Sequence, residues 1–329
     1  MQLWDIYSHD IPSFIKEISE ASAMQRLKDV GMNCGCEYTS FPLFQGLQDA
    51  SRFDHSVGVA LIVWHFTKDA KQSVAGLLHD ISSPTFAHVI DFLHGDYLTQ
   101  ESTESDTEKI IADSHDIQKC LCELGLETAD VADYHLYPIA DNDTPRLSAD
   151  RLEYTLGNTV NYKFASREKV KELYNNLIVG TNEEGQPEIM FTDKDKAIEF
   201  AHLALRCSKI YICDEDRYAM QRLSEILKDC ISRKIINEKD LYLTETEVIS
   251  KLCATEFGQH EWEKYCNYNS VSRTADLPES RIIHAKKRHI NPLVKGLGRV
   301  TDLSEEYKEA LNEFLSQNHD YAVCGFSTK

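Results

Sequence analysis

The chain has 329 residues, 42% hydrophobic and 27% charged, with 14 glycines and 8 prolines. That length accommodates one large helical domain, or a core with a smaller appendage. A formal net charge of -19 argues against a broad basic face for an extended nucleic acid, while a metal and a few local cations still allow a small phosphorylated substrate.

No run reaches the roughly 18 apolar residues of a membrane span. The start, Met1-Gln2-Leu3-Trp4-Asp5-Ile6, lacks the basic-then-apolar order of a signal peptide. The expectation is a cytoplasmic protein with no membrane partner. Ten cysteines include C-x-C pairs at Cys34/Cys36 and Cys120/Cys122 but no paired C-x-x-C zinc pattern. They are expected to be reduced, mostly buried thiols.

Between Ile11 and Lys28, the apolar Ile15, Ile18, Met24 and Leu27 predict short helices. The glycines and cysteines of Gly31 to Pro42 predict a loop. Phe53, Val57, Ala60, Leu61 and Trp64 fall at helical spacing, which puts Arg52 and His55 about one turn apart near a helix start. A second helix, about Lys71 to His79, carries Val74, Ala75, Leu77 and Leu78, and delivers His79-Asp80 to an interior end. Ser82-Ser83-Pro84 combines a serine cap with a first-turn proline and predicts a helix bearing Phe86, His88 and Ile90. Gly95 to Asp106 is polar and predicts a mobile loop, with short helices from Thr107 to Leu126 after it. Ser148 caps a helix on which Asp150 and Tyr154 share a face at i, i+4.

Two apolar runs, Leu177 to Gly180 and Glu188 to Phe191, flank a turn holding Asn182 and Gly185 and predict a β-hairpin. Helices are expected at about Asp193 to Tyr211, Asp214 to Arg233 and Glu245 to Phe257, with a shorter one near Trp262. From Arg281 the chain turns basic and β-rich, then helical over Leu303 to Gln317, and ends in a strand at Tyr321 to Phe326. A boundary near Asp276 divides a core, residues 1–275, from a small α+β region, residues 276–329. The fold class expected is mainly α: a helical bundle core with a small β-hairpin and a small α+β C-terminal appendage.

His55, the His79-Asp80 pair and Asp150 stand in an order and approximate spacing that resembles the HD-domain metal-dependent phosphohydrolases. Gln25-Arg26-Leu27, Phe41-Pro42, the stretch from Ser51 to Val59, Asp150 to Tyr154 and Lys286 to Pro292 resemble most the branch containing the deoxynucleoside triphosphate triphosphohydrolases. The resemblance spans most of the chain. It implies that His55, His79, Asp80 and Asp150 hold one divalent metal. Imidazoles with hard carboxylates suit Mn, Fe, Zn, Co or Ni, with Mg also admissible, and ligand type alone does not choose among them. It further implies cleavage of a phosphate ester or anhydride of a small nucleotide-like substrate by a metal-activated water. Asp80 then belongs to the catalytic set as well as the metal set. His88 matches a proton donor to the leaving group. Arg52, Arg151 and Tyr154 match positions that approach the phosphates, and a homo-oligomer is the state the resemblance implies.

The sequence also departs from that branch. Ser83 stands where another histidine is usual, Ser105-Asp106 replaces a His-Glu pair, and Asn158 replaces an arginine. No glutamine occupies the neighbourhood of Met32. These changes leave the four metal positions in place and weaken the case for a triphosphate. Two alternatives stay open: hydrolysis of a cyclic nucleotide, an alarmone or a nucleoside monophosphate, and a nucleotide-binding sensor or scaffold whose site does not hydrolyse. His94, His115 and His135 are expected not to be ligands, and Lys286-Lys287-Arg288 to form a solvated basic strand.

Overall fold

The computed structural model of the chain describes residues 2–95, 106–284 and 286–327. Most of the expected polar loop, including Ser105, lies outside them. The fold is mainly α with small sheets, as the patterning predicts.

The helix Arg52–Thr67 is its axis. Ser51 caps it by accepting from the Asp54 amide, and Lys68 in the left-handed region ends it. Buried residues occur all around this helix from Arg52 to Val63, the signature of a helix enclosed on every side. It packs against Ala70–Leu78, Ala149–Asn161 and the short Trp4–Tyr7. Two glycines allow the approach. A methyl at Gly76 would meet Val59 Cγ1 at 3.2 Å, and one at Gly58 would meet Glu153 Cγ at 2.7 Å. The close contacts set the register at which His79-Asp80 and Asp150 arrive beside His55.

Two hydrophobic cores result. One joins the central helices to the N-terminal turns, to Arg167–Tyr174, Lys194–Ile210 and Glu305–Ser316. The other gathers Cys36, Phe41, Phe44 and Phe86 around Asp214–Ser232, Glu245–Cys253 and Glu256–Cys266. The hairpin forms as expected, Leu177–Thr181 against Pro187–Phe191, with Leu177 opposite Phe191. Phe191 pairs in parallel with Val294, which ties the hairpin to the C-terminal region. Fully buried Glu188 is neutralised there by Arg299. A second sheet sets Ala322–Phe326 between Ser270–Arg273 and Arg281–Ile282.

Two expected elements differ. The helix signalled at Pro84 begins only at Val89, because Phe86 and Ala87 take left-handed φ values of 60° and 48°. Tertiary contacts impose that turn over the local start signal. Thr85 donates its amide to Leu241 O at 2.7 Å and its hydroxyl to Leu243 O at 2.6 Å, and Phe86 is fully buried against the Tyr38 and Trp262 rings. The helix expected over Glu245 to Phe257 breaks after Cys253, where Thr255 caps Glu256–Cys266. A Cβ at Gly258 would lie 2.1 Å from Leu252 O, so glycine is what lets the chain turn so tightly. Among the described residues no helix is long and apolar enough to cross a membrane, and none of the ten cysteines is in a disulfide.

Candidate metal centre

Three elements converge at the inner end of the central helix. His55 comes from its first turns, His79 and Asp80 from the turn closing Ala70–Leu78, and Asp150 from the first turn of Ala149–Asn161. Ligand atoms of His55, His79 and Asp80 lie within 4.8 Å of one another. Asp150 Oδ1 joins them at 3.0 Å from His55 Nε2 and 3.8 Å from His79 Nε2. All four expected ligands are therefore brought together.

Outer contacts aim the donors inward. His79 Nδ1 donates to Gly76 O at 2.8 Å, which leaves the Nε2 lone pair for the cluster. His55 Nδ1 meets Glu153 Oε2 at 2.7 Å. Such a partner fixes the ring and raises its basicity, the usual second layer of a metal site. Asp80 accepts from Arg52 Nη1 with both oxygens, at 2.8 and 2.7 Å, and from Ser83 Oγ at 2.9 Å. Arg26 in turn holds Ser83 O at 2.6 Å and Ile81 O at 3.2 Å, bracing the turn.

The electrostatics match a cation site. Burial alone would depress His55, but its hydrogen bonds to Asp150 and Glu153 overcome this and hold the imidazolium pKa at about 10. Burial would raise Asp80, yet Arg52, His79 and His55 keep it well below the usual carboxylate range. Asp150 is likewise held at about 2, burial being outweighed by the hydrogen bond from His55 and the neighbouring positive charges. The clustered carboxylates thus favour positive charge where a divalent ion would sit. Two imidazoles with clustered carboxylates are a donor set that fits such an ion.

A cavity of about 310 Å³ opens on this cluster. His88 and Tyr154 both line it. His88 Nδ1 is held by fully buried Asp91 at 2.9 Å. Burial lowers the His88 pKa, Asp91 opposes this, and the charges of Arg288 and Arg52 lower it further. Burial and Asp150 push the Tyr154 hydroxyl up to about 12, so it stays a donor. Arg52 also faces the cavity, with its Nε buried and unpartnered. Arg151 lines the wall, but its guanidinium donates to Asn142 and Ser148 and pairs with Asp141 at 3.1 Å, bracing the loop before Asp150. His135 reaches the same cavity without joining the cluster, His94 pairs with Glu238, and His115 is exposed.

Some site residues were not foreseen. Glu153 sits one turn beyond Asp150 on the same helix, and that spacing was the available signal. The run does not form a strand; Lys286 is exposed, as expected, while Arg288 is half-buried. They line the cavity, while the intervening Lys287 turns away to bond Leu315 O and Gln317 O. The segment is pinned by Asn291 N on Pro145 O and by Tyr307 Oη on Ile290 O, contacts no local pattern announces.

No family model matches the chain. It is 26% identical over 260 residues to the uncharacterized protein YdhJ of Bacillus subtilis (strain 168), covering 78% of this chain and 76% of that protein. It is 22% identical over 249 residues to the metal-dependent phosphohydrolase cns2 of Cordyceps militaris, covering 72% of this chain and 68% of that one. Among solved structures, a hypothetical protein from Aquifex aeolicus superposes with a TM-score of 0.61 at 17% identity, over 96% of this chain and 93% of that one. A phosphohydrolase from Bacteroides thetaiotaomicron gives 0.63 at 13% identity, over 97% of each chain. The chain thus shares its fold with a phosphohydrolase and is similar in sequence to a metal-dependent one.

Proposed function

We propose that the chain is a metal-dependent phosphohydrolase of the HD type, acting on a small nucleotide-like phosphate ester or anhydride. The observation that carries the reading is the convergence of His55, His79 and Asp80 within 4.8 Å, at the end of a cavity large enough for a small molecule. The names of the Cordyceps and Bacteroides proteins agree with it.

His55, His79, Asp80 and Asp150 would hold the ion. A divalent cation there supplies an acidified water and Lewis-acid charge for a phosphoryl oxygen. The chain's own groups do the rest. Gly76 O and Glu153 keep the two imidazoles in register. Arg52 steadies Asp80 through its Nη1 and adds positive charge to the cavity wall. Arg288 and Lys286 place further positive charge on the cavity wall, and the Tyr154 hydroxyl donates a directional bond. Asp91 orients His88, leaving its other ring nitrogen for the leaving oxygen. A phosphate dianion beside His88 raises its pKa again, so substrate brings the proton to the residue that must deliver it.

Incubation of the purified protein with Mn or Fe and a broad nucleotide panel, with products identified by mass spectrometry, tests the reading. Release of phosphate, pyrophosphate or triphosphate is expected. No product from any member would refute it.

A further inference from the structure

The short helix Trp4–Tyr7 is fastened to the start of the central helix, beside the first metal ligand. Trp4 Nε1 donates to Asp54 O at 2.9 Å, and Gln2 Nε2 to Asp54 Oδ1 at 2.8 Å, one residue before His55. Arg167 holds the same segment, bonding Gln2 O at 2.9 Å and pairing with Asp5. Tyr7 ends the helix fully buried, with its ring 5.2 Å from that of Tyr174, whose hydroxyl donates to Tyr7 O at 3.3 Å. The Tyr7 hydroxyl itself donates to Glu153 Oε1 at 3.3 Å, across 146 positions of sequence. Glu153 Oε2 is the atom that holds His55 Nδ1 at 2.7 Å. One buried carboxylate therefore has one oxygen on a metal ligand and the other on the N-terminal helix.

We propose that Tyr7 is a positioning residue of the metal centre, its hydroxyl fixing the Glu153 carboxylate and, through it, the His55 imidazole. The N-terminal helix is then an outer layer of the site and not only a cover for the core. Among the described residues no other donor reaches Glu153 Oε1. The carboxylate is confined on another side by Gly58, where a Cβ would lie 2.8 Å from the same oxygen. A buried oxygen stripped of its donor must turn towards another or take up a proton. Either change loosens the acceptor that sets the ring and tautomer of His55. Burial, and then the charge of Glu153, push the Tyr7 hydroxyl well above its usual pKa, which keeps it a donor. Neither Tyr7 nor Glu153 lines the cavity, so the effect falls on the ion and not on contact with substrate.

The proposal rests on the cluster holding a divalent ion, and metal affinity tests the two claims separately. The probe is Zn²⁺, titrated into the full chain in competition with a chromophoric chelator. Tyr7→Phe removes one oxygen and keeps the ring against Tyr174, and circular dichroism confirms that it folds. It should bind Zn²⁺ about three- to tenfold more weakly than wild type, the worth of one buried hydrogen bond. A phenol that served packing alone would lower Tm and leave the metal affinity where it was. In a Glu153→Gln background the relay is already broken, so adding Tyr7→Phe should cost less than about twofold more. Unchanged or tighter binding by Tyr7→Phe overturns the proposal, as does a double variant in which the two losses multiply in full. Wild type that binds Zn²⁺ while Tyr7→Phe binds it equally well refutes this proposal alone. Wild type that takes up no Zn²⁺ refutes the metal reading, and this proposal with it.

Discussion

Glu153 and Gly58 show how much of the metal cluster is decided by two residues that hold no metal. Glu153 fixes His55 from 98 positions away in sequence, and only the absence of a side chain at Gly58 lets its carboxylate reach there. Glu153→Gln should weaken metal affinity by about 10–100-fold, the usual cost of losing an orienting partner, as a competitive metal titration would read. Gly58→Ala sets two effects against each other. Helix propensity gains about 1 kcal/mol, while a methyl 2.7 Å from Glu153 Cγ overpacks a tight contact at roughly 1–3 kcal/mol. Overpacking is expected to win, lowering both Tm and metal affinity; an alanine variant that melts above wild type would contradict this. The ordered His55, His79-Asp80 and Asp150 set was legible because each residue sits in a recognisable local motif. Glu153 was in plain view beside Asp150, but its partner is defined by a contact that spacing alone does not reveal.

At the scale of elements, the long amphipathic helices and the hairpin follow from periodicity, whereas the turn before His88 does not. Ser82-Ser83-Pro84 is a sound local start signal, and it loses to the hydrogen bonds of Thr85 and the burial of Phe86. The C-terminal segment teaches the same lesson about function. Its run of basic residues has the look of a solvated face, yet Tyr307 and Pro145 hold it so that Arg288 faces the cavity. Arg288→Ala should therefore raise KM by roughly 10–100-fold, the worth of a charge-assisted hydrogen bond to phosphate. Metal content should stay at the wild-type level, because Arg288 lies outside the ligand set. An unchanged KM would return the residue to an electrostatic background.

For the whole molecule, two cores with a cavity bordered by residues of both explain why the site draws on segments so far apart in sequence. One buried carboxyl pair should make stability depend on pH. Glu37 is buried near Glu245, and burial followed by the charge of Glu245 raises its pKa well above the usual carboxylate range. The folded state therefore keeps a proton that the unfolded chain releases, so this contribution is present at acid pH and is lost as pH rises through the folded-state value. Glu37→Gln should flatten that loss, seen as a smaller fall in Tm between pH 6 and pH 9 than in wild type. An identical fall in both proteins would contradict the assignment.

The central claim is that His55, His79, Asp80 and Asp150 hold one divalent ion, and elemental analysis of desalted, metal-loaded protein tests it most directly. Wild type should retain about one equivalent of metal, and Asp80→Ala close to none, because truncating one ligand breaks the coordination geometry. Circular dichroism should show that the variant is folded. An Asp80→Ala protein that folds and carries as much metal as wild type would contradict the account.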